Sequence, residues 1–321
     1  MKTVRINFVD FWNNFDKENN EFINILRLRY NVEISNQPDY IFYSTFGRKY
    51  LDYDCIRIFY TGECIVPDFN LCDYAMAFDP LSFDDRYLRV PLYELFQYKE
   101  KYKMLLNNEG AINKEKSAFC SFVVSNDQGM KERALMIELL NRYKTVDSGG
   151  RYKNNVGEPV KDKFAFDQKH KFSICFENCS HRGYTTEKIV EAFAAGCIPI
   201  YYGNPDIGEE FNTKAFVNIH DYDSLEDAVN RIIEIDQNDE LYNEIKTEPI
   251  ITGARKDDNE LEAFLYAIFD QPLEHARRRP YNTRISELES NYLLIRRYDR
   301  LIGKHLNKVK AFIRRLKNGA I

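Results

Sequence analysis

In the run Phe172-Ser173-Ile174-Cys175-Phe176-Glu177-Asn178-Cys179-Ser180-His181-Arg182-Gly183-Tyr184-Thr185-Thr186-Glu187-Lys188-Ile189, an apolar strand gives way to a polar loop and then to a helix. The loop contains Gly183, and the helix is predicted to begin at Thr185 or Thr186. Free backbone N–H groups and the helix dipole at such a start favour a phosphate group. In parallel α/β sheets, ligands bind at the carboxyl ends of the strands. The run therefore predicts an α/β fold with an anion site after this strand.

Lys188 lies in the first turn of that helix, where the helix dipole disfavours a positive charge. A lysine at such a position indicates that it serves an anion. The alternative is a surface lysine paired with Glu187 or Glu191. The sequence leaves both interpretations open.

Strands and helices alternate on both sides of this run, which is typical of a parallel sheet. The 321 residues suffice for two domains. The polar stretch 99–116 separates two such patterns, so we predict units at 1–112 and 113–285 and a tail at 286–321. Predicted strands lie near 4–8, 32–34, 40–43, 57–60, 74–78, 87–90, 119–125, 145–148, 172–176, 198–202 and 217–219, and predicted helices near 21–30, 130–143, 186–195 and 223–235.

The composition excludes several classes of protein. With 44% hydrophobic and 30% charged residues, the chain is not largely disordered. It has no apolar run of about 18 residues and no signal-peptide core at its start, which favours a cytoplasmic location. P-loop and dinucleotide-binding fingerprints are absent. Two Asp-x-Asp patterns, at 52–54 and 221–223, are interpreted as turns rather than metal ligands.

The cysteines and histidines show no metal-binding spacing. The seven cysteines are odd in number, and no two are spaced Cys-x-x-Cys. Most lie within apolar runs, which predicts reduced, buried thiols in a reducing compartment. We therefore expect no metal site. The cysteines are Cys55, Cys64, Cys72, Cys120, Cys175, Cys179 and Cys197.

Positive charge is concentrated at the end of the chain. Residues 275–321 contain 13 Lys and Arg and three Asp and Glu, a net charge of +10. Since the whole chain has a net charge of −5, the preceding residues carry −15. From Leu294 onward, apolar residues recur at three- and four-residue steps with basic residues between them, which predicts a basic amphipathic helix. Such a tail suits anionic inner-leaflet lipid, whereas the acidic body argues against nucleic acid. The alternative is a helix that packs on the core.

The motifs within and around the opening run resemble a known family. Phe176-Glu177-Asn178, Tyr184-x-Thr186-Glu187-Lys188 and Ile198-Pro199-Ile200-x-x-Gly203 are similar to the signature of the α1,3/4-fucosyltransferases, glycosyltransferase family 10. Upstream, Tyr60-Thr61-Gly62-Glu63 and Asp85-Arg86-Tyr87-Leu88-Arg89-x-Pro91 resemble the bacterial members. The matches run in order from about residue 57 to 223, and residues 1–56 match only in pattern.

This resemblance implies the GT-B fold, in which two Rossmann-like domains face each other across a cleft. It implies an inverting transfer of L-fucose from GDP-β-L-fucose, without metal, to the 3-hydroxyl of N-acetylglucosamine or glucose in a galactose-containing glycan. A Lewis-x type glycan or a lipopolysaccharide O-antigen would be such an acceptor. The alternatives are α1,4 or dual linkage, another sugar nucleotide, or a non-catalytic peripheral membrane protein led by its tail.

The resemblance also implies roles for individual residues. Glu63 matches the residue that acts as general base in the family. From the sequence pattern alone, it would be interpreted as a surface carboxylate at the end of a strand. Arg133 matches the arginine that binds the diphosphate, with Arg142 and Lys131 as the next candidates. Lys188 is the second phosphate cation.

Three further residues match contacts to the nucleotide sugar. These are Asn178, Tyr184 and Glu187, of which Glu187 would either bind sugar hydroxyls or steady positive charge at the sugar carbon. Glu177 is expected to be structural. Four more residues would either shape the cleft or, for the arginines, pair with Asp84 and Asp85; they are Asp68, Asn70, Arg86 and Arg89.

Overall fold

The structure is a computed structural model that describes residues 1–107, 116–126, 129–252, 259–280, 285–298, 302–303 and 309. These residues form two parallel sheets, as predicted. The first sheet contains β1 (Thr3–Val9), β2 (Asn31–Ile34), β3 (Tyr40–Tyr43), β4 (Ile56–Tyr60), β5 (Tyr74–Ala77) and β6 (Tyr87–Arg89). The second contains β7 (Ala118–Phe122), β8 (Val146–Ser148), β9 (His170–Phe176), β10 (Ile198–Tyr202) and β11 (Val217–Asn218).

Both sheets have the same strand order. The first runs β2-β1-β3-β4-β5-β6 and the second β11-β10-β9-β7-β8, with every strand pair parallel. If the strands of each sheet are numbered in chain order, and the second sheet is read from β8, both orders begin 2-1-3-4-5. This is the order of a flavodoxin-like doubly wound fold. The order reverses between β1 and β3 in one sheet and between β7 and β9 in the other. Loops after those strands diverge and leave a crevice at each reversal point.

The strand sequences explain why both sheets are buried. All four residues of β3 and all five of β4 are buried, because helices cover parallel sheets on both faces. The helices are α1 (Glu21–Arg27), α2 (Lys99–Leu106), α3 (Lys131–Asn141), α4 (Lys163–Asp167), α5 (Glu187–Ala194), α6 (Leu225–Gln237), α7 (Asp239–Thr247), α8 (Glu260–Asp270), α9 (Leu273–Ala276) and α10 (Ile285–Tyr298).

Helix ends follow the local signals. The Ser224 side chain accepts the backbone N–H of Asp227 at the start of α6, which selects it over Asp223 as the N-cap. Gly196 follows α5 with a φ of 72°, the left-handed conformation that glycine adopts readily. α5 begins at Glu187 with Thr186 at the N-cap, as the opening run predicts.

The chain crosses twice between the two units. α2 packs against α5, and Leu105 belongs to a core cluster of the second unit. α8 and α9 return to the first unit, where Leu265 and Phe269 join the core of β1 and β3. The span 260–276 falls within the range predicted for the second unit, and yet it packs on the first.

Residues 277–279, which follow α9, are bound to the first unit by hydrogen bonds and ion pairs. The buried carboxylate of Asp73 accepts the backbone N–H groups of Arg278 and Arg279, each at 2.8 Å, and pairs with Arg279 Nε at 3.0 Å. Arg277 pairs with Asp54 and Arg278 with Asp85. These three arginines, which lie in the range predicted for the second unit, therefore bind the first unit through ion pairs.

The predicted basic amphipathic helix lies mostly outside the described residues. α10 covers its first part, and Tyr292 packs partly against the core beside β3 and β4. Leu293, Leu294, Ile295 and Tyr298 are exposed. None of the helices that the structure describes is long and apolar enough to span a membrane.

Candidate active site

The loops after β4 and β9 meet between the two sheets, where Cys64 and Cys179 form a disulfide with their Cα atoms 7.0 Å apart. The prediction of reduced, buried thiols is wrong for this pair. It holds for the other five, of which Cys72, Cys120, Cys175 and Cys197 are buried. The pairing arises from tertiary proximity, since 115 residues separate the two cysteines in sequence. The disulfide therefore joins the loop that carries Glu63 to the loop that carries Asn178.

Glu63 lies on an exposed turn three residues beyond β4. The Thr61 hydroxyl oxygen accepts the Glu63 N–H at 2.9 Å and fixes the turn. Gly62 precedes it, and a Cβ there would approach Leu92 at 3.3 Å. Glu63 also lines a pocket of 270 Å³ with the aromatic residues Trp12, Phe46, Tyr60, Phe96 and Tyr98. This aromatic wall has no local signal in the sequence, because its residues come from four separate segments.

Arg133 is buried in α3 on the opposite side of the cleft. Its Nη2 donates to the carbonyls of Phe176 and Glu177, at 2.9 and 3.0 Å, and to Asn178 Oδ1 at 3.2 Å. Among the described residues, its Nε and Nη1 find no hydrogen-bond partner. Burial lowers the pKa of Arg133. Unpartnered buried donors are costly, so this guanidinium is suited to an anion such as a diphosphate.

The other cations considered for this role lie elsewhere. Lys131 and Arg142 are exposed at the two ends of α3. Of the three candidates, the structure therefore brings only Arg133 against the loop after β9. Gly129 is needed beside it, because a Cβ there would lie 2.2 Å from Arg133 Nη1.

Lys188 is held by carboxylates. Its Nζ lies 2.9 Å from Glu177 Oε2, 2.8 Å from Thr186 Oγ1 and 3.6 Å from Glu187 Oε1. Burial opposes the charge on Lys188, but the two carboxylates outweigh it and raise the pKa. The lysine therefore stays charged at neutral pH. The predicted partner Glu191 instead pairs with Lys163 at 3.0 Å.

Glu177 binds the start of α5, which agrees with the expectation that this residue is structural. It is fully buried, and its Oε1 accepts the Thr186 N–H at 2.7 Å and the Thr186 hydroxyl at 2.9 Å. This carboxylate satisfies a free N–H group of α5 that would otherwise be unpaired. Gly203 makes room for it, because a Cβ there would meet Glu177 Cγ at 2.4 Å.

Tyr184 and Glu187 complete the second-unit side of the cleft. Tyr184 is buried, with its ring 4.8 Å from that of Phe78 in the first unit. Burial raises the pKa of Tyr60, and electrostatic interactions with Tyr98, Glu187 and Glu63 raise it further. Carboxylates of both units therefore contribute to the electrostatic environment of Tyr60.

Two of the predicted cleft residues have structural partners. Arg86 donates to the backbone carbonyls of Phe69, Cys72 and Asp73, each at 2.9 Å. Arg89 crosses to the second unit, where it pairs with Glu210 at 2.8 Å. Asp68 and Asn70 lie in an exposed turn closed by the Asn70 N–H to Asp68 Oδ1.

Neither Asp-x-Asp pattern forms a cation site within the described part of the chain. Asp54 pairs with Arg277, and Asp221 accepts a hydrogen bond from Asn218 at 2.9 Å. More generally, no group of three or more His, Cys, Asp or Glu side chains among the described residues is arranged to hold a metal ion.

Comparison with known proteins agrees with this geometry. Residues 6–96 match the alpha-(1,3)-fucosyltransferase FucT N-terminal domain, and residues 113–246 match the C-terminal domain of glycosyltransferase family 10. The chain belongs to glycosyltransferase family 10. The N-terminal match begins well before residue 57, so the family match also covers the loops after β1 and β3 that carry Trp12 and Phe46.

The relatives of this family 10 chain include the alpha-(1,3)-fucosyltransferase FucT of Helicobacter pylori, 36% identical over 272 residues. That match covers 71% of this chain and 56% of the relative, so the chain spans little more than half of the curated protein. A putative fucosyltransferase of Acanthamoeba polyphaga mimivirus is 30% identical over 61% of this chain and 34% of its own length.

Solved structures of alpha1,3-fucosyltransferase share the fold. One without ligand in its description has a TM-score of 0.74 at 28% identity, covering 87% of this chain and 93% of its own. Another, described with GDP-fucose, has a TM-score of 0.71 at 28% identity, covering 88% and 94%. The predicted GT-B architecture of this family 10 chain is thereby confirmed.

Proposed function

We propose that this protein is an inverting α1,3-fucosyltransferase that moves L-fucose from GDP-β-L-fucose to the 3-hydroxyl of N-acetylglucosamine or glucose in a galactose-containing glycan. The observation that carries the proposal is the buried Arg133 guanidinium, whose Nε and Nη1 have no partner among the described residues. It lies against the same loop whose Cys179 is bonded to the residue after Glu63. The loop beside the cation for the leaving group is thus joined by a disulfide to the loop that carries the carboxylate for the attacking hydroxyl.

The donor occupies the crevice of the second sheet. Arg133 binds the diphosphate through its two unpartnered nitrogens, and Lys188 supplies a second positive charge at the start of α5. Asn178 and Tyr184 contact the nucleotide sugar. Glu187 hydrogen-bonds its hydroxyls or steadies positive charge at the sugar carbon.

The reaction is a single displacement. The Glu63 carboxylate takes the proton from the acceptor 3-hydroxyl, and this oxygen forms a bond to C1 of fucose. The C1–O bond to phosphate breaks on the opposite face, so the β-linked donor gives an α-linked product. GDP leaves with the electron pair, and Arg133 and Lys188 stabilise the negative charge that develops on it. This scheme uses no metal ion.

The acceptor and the linkage are the finer part of the proposal. The proposed product is a Lewis-x type glycan, formed on a lipopolysaccharide O-antigen or a related glycan that contains this disaccharide, and α1,4 or dual specificity is the alternative. We propose a cytoplasmic enzyme that lies on the inner membrane through its C-terminal segment. The exposed apolar side chains of Leu293, Leu294, Ile295 and Tyr298 support this lipid contact.

The decisive experiment is an incubation of the purified chain with GDP-fucose and N-acetyllactosamine in the presence of EDTA. Trisaccharide detected by mass spectrometry, with linkage analysis of the product, would support fucosyl transfer without free metal. If calorimetry shows GDP-fucose binding but no product forms, the acceptor is wrong. If neither product nor binding is found, the proposed function fails.

Membrane contact has its own test. Full-length protein and a variant that ends at Tyr292, and so lacks these four exposed side chains, are compared by flotation with vesicles that contain anionic lipid. We expect the truncated variant to float less, and equal flotation of the two would exclude the proposed role of the tail.

A further inference from the structure

The carboxylate of Glu210 binds side chains of both units. Its side chain is only 11% exposed. Its Oε1 accepts hydrogen bonds from Arg89 Nη2 at 2.8 Å, from Asn204 Nδ2 at 3.0 Å and from the Thr185 hydroxyl at 3.1 Å. Its Oε2 accepts the Tyr93 hydroxyl at 2.6 Å. Since Arg89 and Tyr93 belong to the first unit, one carboxylate binds two donors from each unit.

Both donors from the first unit stay protonated at neutral pH. Burial opposes the charge on Arg89, but the carboxylate of Glu210, followed by smaller interactions, outweighs burial and raises the pKa of Arg89. Burial, and then the negative charge of Glu210, raises the pKa of Tyr93 well above its ordinary value. Hydrogen bonds to an ionised group are stronger than those between neutral groups. The contact between the units at Glu210 is therefore a strong one.

Two partners of Glu210 also bind the backbone of the loop between β9 and α5. Gly183, which precedes Tyr184 in this loop, donates its N–H to Asn204 Oδ1 at 2.8 Å, and its carbonyl accepts Arg89 Nη2 at 2.9 Å. Gly183 has a φ of 76°, and a Cβ there would lie 2.5 Å from the carbonyl oxygen of Phe78 in the first unit. The loop therefore lies directly against the first unit at this point.

Thr185 fixes the other side of Tyr184, because its hydroxyl donates to Glu210. Tyr184 itself is buried, and its ring centroid lies 4.8 Å from that of Phe78. The disulfide holds the same loop nearer its start, at Cys179. The loop is thus tied to the first unit at two places, covalently at Cys179 and through Glu210 at Tyr184.

The segment of the first unit that binds Glu210 also contacts the turn of Glu63. Tyr93 follows β6, and its neighbour Leu92 lines the same pocket as Glu63. A Cβ at Gly62, the residue before Glu63, would approach Leu92 at 3.3 Å. Packed contacts therefore run from the turn of Glu63, through Leu92 and Tyr93, to the carboxylate of Glu210.

We propose that Glu210 is a positioning residue of the transfer reaction, which sets the loop of Tyr184 in the second unit against the turn of Glu63 in the first. In a single displacement the acceptor oxygen and the sugar carbon must be aligned, and a misplacement of about 1 Å can lower the rate about 10²-fold. The groups that would hold these two atoms belong to different units, so their alignment needs a contact between the units. This inference rests on the proposed function. Glu210 acts through Arg89 and Thr185 rather than on the substrates.

The substitution Glu210→Gln tests this role, because it keeps the size of the side chain and replaces one accepting oxygen by a group that donates. The kcat of fucosyl transfer is expected to fall about ten- to a hundredfold. The Kd of GDP, measured by calorimetry, is expected to stay within about twofold of the wild-type value. The reason is that Arg133 binds the loop at Phe176, Glu177 and Asn178, away from the part that Glu210 holds.

The ratio of fucosyl transfer to hydrolysis of GDP-fucose separates positioning from a general loss of structure. Water can reach the sugar carbon without being held by the first unit, whereas the acceptor hydroxyl must be aligned with it. The ratio is therefore expected to fall at least about threefold in Glu210→Gln. Loss of folded protein would lower both rates by the same factor. Glu209→Gln is the matched control, since Glu209 is the exposed neighbouring carboxylate, and it is expected to behave like the wild type.

A double-mutant cycle tests whether the two units are coupled through this carboxylate. Tyr93→Phe removes a donor of the first unit, and Thr185→Val removes one of the second. Their effects on kcat are expected to be non-additive in the wild-type background and additive, within about twofold, in the Glu210→Gln background. Tyr93→Phe leaves the carboxylate and its other three hydrogen bonds in place. If Glu210→Gln fails to fold, the ratio of transfer to hydrolysis in Tyr93→Phe decides.

The outcomes separate this inference from the proposed function. Transfer at the wild-type rate by a folded Glu210→Gln variant overturns the inference and leaves the function intact. Equal losses of transfer, hydrolysis and GDP affinity also overturn it, because they would show that Glu210 only maintains the fold. A wild-type protein that transfers no fucose overturns the proposed function, and this inference with it.

Discussion

The ion pair of Glu177 and Lys188 keeps a positive charge at the start of a helix. The helix dipole and burial both disfavour a lysine there. The buried carboxylate of Glu177 removes this difficulty, because it binds the ammonium and the free N–H of Thr186 together. Lys188 is thus kept charged in the cleft. A bound diphosphate would share the ammonium with Glu177 rather than capture a free side chain.

The first prediction at the residue scale concerns the base. Glu63→Gln is expected to lower kcat at least 10²-fold, because an amide cannot accept the acceptor proton at neutral pH, and general base catalysis contributes about 10²–10⁴-fold. The Kd of GDP-fucose, measured by calorimetry, is expected to stay within twofold. Turnover close to that of the wild type would exclude Glu63 as the base.

The second prediction concerns the diphosphate. Arg133→Lys keeps the charge but removes Nε and the fork geometry, so GDP is expected to bind about ten- to a hundredfold more weakly. Arg142→Lys, at the exposed end of the same helix, is the control and is expected to bind GDP like the wild type. Equal Kd values for the two variants, measured by calorimetry, would contradict the role assigned to Arg133.

At the scale of elements, the candidate site residues lie in or near the loops that follow the strands, and the paired strands position those loops. β7 and β9 are paired directly, and so are β1 and β3. In each pair, the loops leave from the same edge and diverge because their helices cover opposite faces. A local sequence motif on one loop therefore acquires its partners only through strand order.

Asp236 provides a prediction for the packing of α6. It is buried and accepts hydrogen bonds from Lys144 and from Tyr143, and it pairs with Lys171 at 3.1 Å. Burial alone would raise the pKa of Asp236, but these hydrogen bonds outweigh it and lower the pKa. The stabilisation is therefore present above the unfolded value of about 3.9 and is lost as the pH falls through the lower folded value.

Asp236→Asn is expected to reduce the free energy of unfolding by about 2 kcal/mol at pH 7. The difference from the wild type is expected to stay constant down to about pH 5 and to shrink below about pH 4. Thermal unfolding followed by circular dichroism across this pH range measures it. Glu234→Gln, an exposed carboxylate on the same helix, is expected to change little. A difference that grows on acidification would contradict the assignment.

At the scale of the whole molecule, residues distant in sequence tie the two units into one body. Arg89 pairs with Glu210, whose other oxygen accepts the Tyr93 hydroxyl at 2.6 Å. α8 and α9 carry the chain back to the first unit, and Arg279 anchors that return on Asp73. The first unit is therefore incomplete without residues from beyond the second.

The substitution Arg279→Ala tests how much the contact between Arg279 and Asp73 stabilises the protein. Removing one partner of a buried pair leaves Asp73 charged and buried, and the loss is expected to be about 3–5 kcal/mol. The unfolding temperature should fall by several degrees. Arg27→Ala, which breaks the exposed pair with Glu18, is the control and is expected to cost under about 1 kcal/mol. Similar shifts for the two variants would show that the anchor contributes little.

The cleft disulfide gives the last prediction. Denatured protein that has not been reduced is expected to react with a thiol reagent at five cysteines, and reduced protein at seven. Cys64→Ser is expected to give six in both states. Seven thiols in unreduced wild-type protein would contradict the disulfide between Cys64 and Cys179.

Much of the fold could be predicted from local pattern. The alternation of apolar strands and amphipathic helices requires only short-range periodicity, and it identified every strand of both sheets. Domain ranges were harder to predict, because α8 is apolar enough to pack on either core and nothing local selects the first. The helix predicted from Leu294 onward lies mostly outside the described residues, so it remains a prediction.

The sequence by itself determined the strand-loop-helix motif and the family, because motif spacing survives in the linear order. The resemblance then implied Glu63, Arg133, Asn178, Tyr184, Glu187 and Lys188 as site residues, and their roles stay predictions. Only the tertiary structure decided that Glu177 holds Lys188, that Cys64 meets Cys179, and that Trp12 and Phe46 form one wall beside Glu63. The physical reason is that these contacts depend on which strands are neighbours. Strand order is set by the packing of whole helices and sheets, and no short segment encodes it.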